Sequence, residues 1–424
     1  MAEFFHRRHV PVNILCPIRP EKIGALADYL EDLNNRIREK SHPLFQQINT
    51  HHFCRWTVLP ASKGERGEYP AQLLFESNID ENLSSYVERL IKKDKQTLLD
   101  IYQHCERFDA SQCESYLLDH SISTPMYYRG AHYHSCKQIK RDQILYKVLE
   151  GFIDEKQDSG SLIDYFDSGL REQLIRHVKN SNISWPFDTL QRQPDPYWPM
   201  AIGIIPVLLL LSPILLPLIA VWFYFLRKHE KSELPEVHDN NMTERHAHVA
   251  SVTKDEQQAV QSPMTSVVEI KPGLFRLLTL KAVLWLLNLL SNIFYNRGEL
   301  GSINSIHFAR WIITDDNKRL VFLSNYDGSW ENYLGDFIDR AAVGLTAVWS
   351  NAEGFPRATR LIREGATDDI RFKAYARKSQ TKTACWYSAY PELSLQNVIN
   401  NSKIRQGLTN NMDEKELSLW LSRF

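Results

Sequence analysis

HFCRW at 52–56 and FESNIDENLSSYVERLI at 75–91 recur as HFARW at 307–311 and FLSNYDGSWENYLGDFI at 322–338, the longer block without a gap. A third pair, YRGAHYHSCKQI at 128–139 and YSAYPELSLQNV at 387–398, follows in the same order. Three ordered blocks imply one unit written twice. Outward from them, VNILCPI, the helically spaced IGALADYLEDLNNRIREK, the pair HFCRWTVLP and AQLLFESN, SSYVERLIKKDKQTLLDIYQHC and PMYYRG read strand, helix, strand, strand, helix, strand. SVVEI, LFRLLTLKAVLWLLNLLSNIF, HFARWIIT, KRLVFLSN, WENYLGDFIDRAAVGLTAVW and KTACWYSAY repeat that order. The spacing predicts an α+β chain of two ferredoxin-like modules, residues 1–197 with a helical extension and residues 263–424. Each module is expected to hold its own four strands, and the two to pack as an intramolecular pair.

The 424 residues carry 50 Lys+Arg against 51 Asp+Glu, a net charge of −1, which removes the basic footprint a nucleic-acid partner needs. With 43% apolar and 24% charged residues the chain is folded rather than disordered. The six cysteines, at 16, 54, 105, 113, 136 and 385, are too scattered for a CxxC site or a disulfide framework and read as reduced, packed thiols. MAEFFHRRHVPVNILCPIRP at the start lacks the apolar region of a secretory signal, so exposure to the cytosol is expected.

Met200 to Leu226 form an apolar run without a charge, longer than the roughly 20 residues a bilayer crossing takes. Trp198, Trp222 and Tyr224 near its ends suit an interface, and Arg227, Lys228 and Lys231 mark that end as cytoplasmic. Pro206, Pro213 and Pro217 interrupt it, so the membrane segment, 198–227, is either a proline-kinked hairpin or a single span. Paired modules must share one side of the membrane, which favours the hairpin and places both on the cytoplasmic side. Residues 228–262 read as a polar linker with one short helix, and its His246 and His248, two apart with no third ligand, as solvated. The apolar helix at 274–296 is broken by Arg276, Lys281 and Arg297. It is expected to lie partly on its sheet and partly in the membrane interface, with Lys281, Asn288 and Asn292 on one stripe.

An Asp316-Asn317 turn sets Arg310 opposite Leu323 and clusters Arg310, Asn325 and Asp327 at one end of the sheet, with His307, Trp311, Ser324 and Tyr326 on the other face. The equivalents in the first half are Arg55, Asn78 and Asp80, with His52 and Trp56 opposite. An Asp beside an Arg can move a proton and stabilise negative charge, or simply close a hairpin and cap the next helix. His52 and His307 are candidate metal or haem ligands, or packed core histidines. Tyr128 and Tyr387 could bond to the same network. P-loop, GxGxxG, GxSxG, HExxH and CxxC motifs are all missing from the sequence.

The duplicated modules, with HFARW, SNYDGSWENYLGDFID and WYSAYP, resemble a family of uncharacterised bacterial membrane-associated proteins over most of the chain outside the linker. In architecture alone the chain is similar to the dimeric α+β barrel superfamily of dye-decolorizing peroxidases and chlorite dismutases. The peroxidases carry GxxDG with a distal Asp and Arg and a proximal His. Asn325-Tyr326-Asp327-Gly328 keeps the DG pair, with Ser324 near the first Gly position. Two functions follow as expectations. One is a membrane-associated protein of unknown specific activity whose modules enclose an apolar or lipid-accessible pocket, with a small apolar molecule as a candidate ligand. The other, which the resemblance implies, is a haem-dependent peroxidase-like oxidoreductase with Asp327 and Arg310 distal and His307 as the candidate haem ligand.

Overall fold

The computed structural model describes residues 4–6, 9–40, 48–132, 134–158, 167–181, 183–188, 191–192, 197–232, 242–253, 260–294 and 303–424. Arg297, the side chains of Trp198 and His246, and much of the expected linker lie outside the described residues. The chain is a mixed α+β protein. Its first part supplies β1 (Val10–Pro17), α1 (Ile23–Arg38), β2 (His51–Leu59), β3 (Gln72–Ile79), α2 (Leu83–Tyr102), α3 (Cys113–Asp119), β4 (Met126–Arg129), α4 (Cys136–Asp158) and α5 (Asp167–Asn180). Two helices follow, α6 (Tyr197–Ser232) and α7 (Met242–Thr253). The last part gives β5 (Gln261–Glu269), α8 (Leu274–Ile293), β6 (Ile306–Thr314), β7 (Arg319–Asp327), α9 (Trp330–Trp349), α10 (Asp369–Ser379), β8 (Cys385–Ser388), α11 (Leu395–Gly407) and α12 (Glu414–Leu421).

Two four-stranded antiparallel sheets result, in the orders β8-β2-β3-β1 and β4-β6-β7-β5. This corrects the expectation that each half keeps its own fourth strand: β4 crosses to the second sheet and β8 to the first. A four-residue strand announces itself by composition but not by partner, because nothing in its own pattern says which open edge it joins. Each exchanged strand is clipped by an asparagine from the helix covering it. Tyr127 N donates to Asn288 Oδ1 at 3.1 Å, and Trp386 N to Asn34 Oδ1 at 3.1 Å. These side chains occupy edge amides that would otherwise invite further pairing. The stripe of Asn288 and Asn292 on α8 therefore serves strand exchange, since Asn292 also accepts from Arg129.

Alternation along the strands gives each sheet two faces. Trp56 and Phe75 pack under α1 and α2 with Leu30 and Val87, and Trp311 and Phe322 pack under α8 and α9 with Leu284 and Phe337. The other two faces meet, Leu59 and Leu74 against Ile312, Val321 and Leu323. The layers therefore run helix, sheet, sheet, helix. The 315–318 turn sets Thr314 opposite Arg319 and Arg310 opposite Leu323, as the spacing requires. Asp315, Asp316 and Asn317 hold φ of 52°, 52° and 65°, the left-handed region that short polar side chains tolerate.

The apolar run folds as one continuous 36-residue helix, α6, and not as a hairpin. Pro206, Pro213 and Pro217 are 7 and 4 apart, so their missing donors fall on one stripe and can bend the helix without opening it. The end of α6 is docked. Trp222 Nε1 donates to Thr279 Oγ1 at 3.0 Å, and Leu226 is buried against Ala347 and Leu361. The carboxylate of Glu230 accepts from the backbone amides of Arg360 and Leu361 at 2.9 and 2.7 Å. Both α6 and α8 are long and apolar enough to cross a membrane.

Candidate functional site

At one end of the sheets β2 and β6 each carry a bulge, at His52 and at His307. A bulge inserts one residue and re-aims its side chain. His307, expected to face away from Asp327, instead places Nε2 2.8 Å from Asp327 Oδ1, and His52 places Nε2 2.9 Å from Asp80 Oδ1. The second oxygen of each carboxylate meets a helix N-terminus: Cys136 N donates to Asp80 Oδ2 and Leu395 N to Asp327 Oδ2, both at 2.7 Å. A carboxylate is favoured there by the open amides and the helix dipole. The helix Asp327 caps is thus α11, while α9 is capped by Ser329.

The two dyads differ in their third member. Beside Asp80 stands His9, whose Nε2 donates to His134 O at 2.8 Å and lies 3.5 Å from Asp80 Oδ1. At the matching register beside Asp327 stands Gln261, which donates to Tyr390 O and Leu393 O. His52 Nδ1 is 2.9 Å from Tyr390 Oη, so a residue of the last part braces a histidine of the first. His9 is held well below the ordinary imidazole range, first by burial and then by His52 and Arg129.

The arginines expected beside the aspartates go elsewhere. Arg55 and Arg310 lie between the sheets, and both bind Glu76, Arg55 through Nε and Arg310 through Nη2 at 2.8 Å. All three side chains are at most 1% exposed. Two guanidinium groups therefore share one carboxylate, leaving an excess buried positive charge. Backbone and amide oxygens spread it: Arg55 reaches Met264 O and Ser324 O, and Arg310 reaches Val12 O, Asn13 Oδ1 and Ser77 O. Burial alone would raise the Glu76 carboxyl, but Arg55 and Arg310 outweigh it and hold it below the usual range. Asn78 donates to Glu76 at 2.9 Å and accepts from Tyr127 Oη at 3.0 Å, while Asn325 accepts from Trp386 Nε1 at 3.1 Å. Tyr127 and Trp386, one residue before Tyr128 and Tyr387, are the aromatic members of the network.

These residues do not suit a haem. Arg310 points to Glu76, not toward Asp327, so the distal pair is not assembled. His307 is 2% exposed with Nε2 held by Asp327, and the Phe53 and Tyr390 rings lie 5.2 and 6.1 Å from it. Between the sheets, Leu74 and Leu323 pack in one apolar cluster with Leu59, Ile312 and Val321. A cavity of about 10 Å³ between Met264, Phe322, Tyr333 and Trp349 is too small for an organic ligand, whereas an open pocket of about 500 Å³ is lined by Val58 and Leu59 of the first sheet and Val267 and Val268 of the second.

Glu76, His9 and Tyr390 were not singled out by sequence reasoning. The signal for Glu76 was present: the repeat sets FESN against FLSN, a carboxylate in one copy where the other has leucine. For His9 the signal appears only when the β1–β3 register sets it against Gln261. Comparison of the chain with protein-family models, with curated proteins and with solved structures gives no match.

Proposed function

We propose that this is a monotopic membrane protein: two ferredoxin-like modules, fused by strand exchange into a dimeric α+β barrel-like body, held on the cytoplasmic face of a lipid bilayer by α6 and the outer face of α8. The carrying observation is topological. β4 precedes α6 and β5 follows it, yet both lie in one sheet. β5 precedes α8 and β6 follows it, again in that sheet. Neither helix can cross a bilayer alone without tearing the sheet, and the segments flanking them in the sequence have no other apolar run of crossing length.

What must then cover α6 is hydrocarbon. Among the described residues, thirteen large apolar side chains between Ile202 and Phe225 are exposed, including Leu210 at 80% and Leu218 at 59%. At roughly 1.5 kcal/mol for each one buried, their transfer out of water is worth about 20 kcal/mol. On α8, Leu274, Leu278 and Trp285 extend the same apolar character. Arg227, Lys228 and Lys231 at the end of α6 suit anionic headgroups.

The described cysteines are all buried, so single cysteines introduced at Ser181 and Ser422, one on each side of α6, report topology cleanly. In sealed membrane vesicles an impermeant maleimide is expected to label both from the same side. High salt should leave the protein bound and detergent should release it. Labelling from opposite sides, or a protein that stays monomeric in buffer without lipid or detergent, would sink the monotopic reading.

A further inference from the structure

We infer that the first sheet binds one divalent transition-metal ion of the zinc type between His9, His52 and Asp80. Ring nitrogens of the two histidines and an oxygen of Asp80 lie within 4.8 Å of one another. An ion with bonds of about 2.0–2.2 Å fits among donors so spaced after small movements. The donors come from three elements that converge at one end of the sheet, the start of β1, the bulge of β2 and the end of β3. The backbone that places them is therefore fixed by strand pairing before any ion arrives.

Three independent features point to a ligand here. First, the nitrogen of His9 facing His134 O must carry the proton, because a carbonyl only accepts. In the neutral ring, Nδ1 is then a bare lone pair, buried and without a hydrogen-bond partner among the described residues. A buried acceptor left unmatched costs about 1–3 kcal/mol, so the ring is incompletely satisfied as it stands; the nitrogen 3.5 Å from Asp80 is Nε2, which takes an ion by giving up its proton and its bond to His134 O. Second, the donors have the outer contacts that metal ligands use. His52 Nδ1 is held by the Tyr390 hydroxyl, and Asp80 Oδ2 by the amide of Cys136.

The third feature is the contrast within the chain. The second sheet keeps the histidine and aspartate, His307 and Asp327, but has Gln261 in place of His9, with its amide committed to two backbone carbonyls. A dyad is enough to cap a helix and close the sheet, as the second copy shows. The third donor in the first copy is surplus to that task, and imidazole is the donor that zinc-type ions favour. With all three donors at most 6% exposed, the ion would serve as a brace for the strand ends.

The test uses the full-length protein in detergent, stripped with a chelator and titrated with cobalt(II) and zinc(II). One equivalent of cobalt is expected to bind with a visible ligand-field spectrum, and zinc to displace it and raise the melting temperature. His9→Gln copies the arrangement of the second sheet and so should fold. It is expected to weaken binding by more than the roughly 100-fold that loss of an outer contact can cost, whereas His307→Ala should leave the cobalt spectrum unchanged. Tyr390→Phe should cost about 10-fold. A stripped protein that takes up no ion, or a His9→Gln variant with undiminished affinity, overturns the inference. Should His9→Gln not fold, X-ray absorption of the zinc-loaded wild type decides: a first shell with two imidazoles supports the site, and a shell without imidazole removes it.

Discussion

Replacing Glu76 with leucine, the residue at the matching position of the second sheet, tests what holds the two sheets together. Arg55 stands opposite Glu76 across β2 and β3 as Arg310 stands opposite Leu323 across β6 and β7, and both guanidinium groups converge on the one carboxylate. Glu76→Leu fills the volume but leaves two buried guanidinium groups with no counter-charge. Breaking a buried pair by removing one partner costs about 3–5 kcal/mol, a large share of the 5–15 kcal/mol that typically separates folded from unfolded chains. Urea denaturation of the detergent-solubilised protein, followed by tryptophan fluorescence, should show the midpoint fall accordingly. The control Ile312→Val, in the same inter-sheet layer, should cost only about 0.5–1.5 kcal/mol. Adding Leu323→Glu to Glu76→Leu returns a carboxylate opposite Arg310 and is expected to recover part of the loss. Because the Glu76 carboxyl is held below its ordinary range, its contribution is complete above about pH 4.3 and lost as pH falls through the folded value, so variant and wild type should converge in acid. A Glu76→Leu protein within about 1 kcal/mol of wild type at neutral pH would refute the account of a shared counter-charge.

Three further outcomes are expected. Glu230→Ala removes the carboxylate that fixes the Arg360 and Leu361 amides, whose residues hold φ of 54° and 68°. The α6 anchorage should weaken by about 2–3 kcal/mol, read as faster proteolysis near residue 232. Without bound metal, the neutral His9 makes stability fall as pH drops below about 6.5, because the unfolded imidazole then takes a proton that the folded site refuses, first through burial and then through His52, Arg129 and His132, which outweigh the neighbouring Asp80. His9→Gln should flatten that slope in melts between pH 5 and 7. Leu210→Lys with Leu218→Lys places two charges on the exposed face of α6. It should weaken vesicle binding in a flotation assay without lowering the melting temperature.

Much of the element order was legible because it rests on local pattern. The alternation in HFARWIIT and KRLVFLSN and the turn spacing gave a register that places Arg310 opposite Leu323, and Trp311 and Phe322 on the helix side. What failed to show was whatever depends on chain segments far apart. The bulge at His307 turns a side chain from one face to the other, and no residue type marks it. The Arg310 partner lies 234 positions away, on β3. The prolines of α6 read as a break because their spacing on one stripe matters only once a helix has formed. PMYYRG and KTACWYSAY read as strands from their own residues, but a short strand carries no address, and each joins the sheet of the other half.

The exchange of β4 and β8 sets an order of events during synthesis. Residues 53–56 cannot gain their outer neighbour until 385–388 have left the ribosome, which at 5–20 residues per second takes roughly 15 s to a minute. Through that interval the open flank of β2 is a docking site for any passing strand, including the same segment of a second nascent chain. Overproduction should therefore favour intertwined dimers in which the C-terminal strand of one molecule finishes the N-terminal sheet of its neighbour.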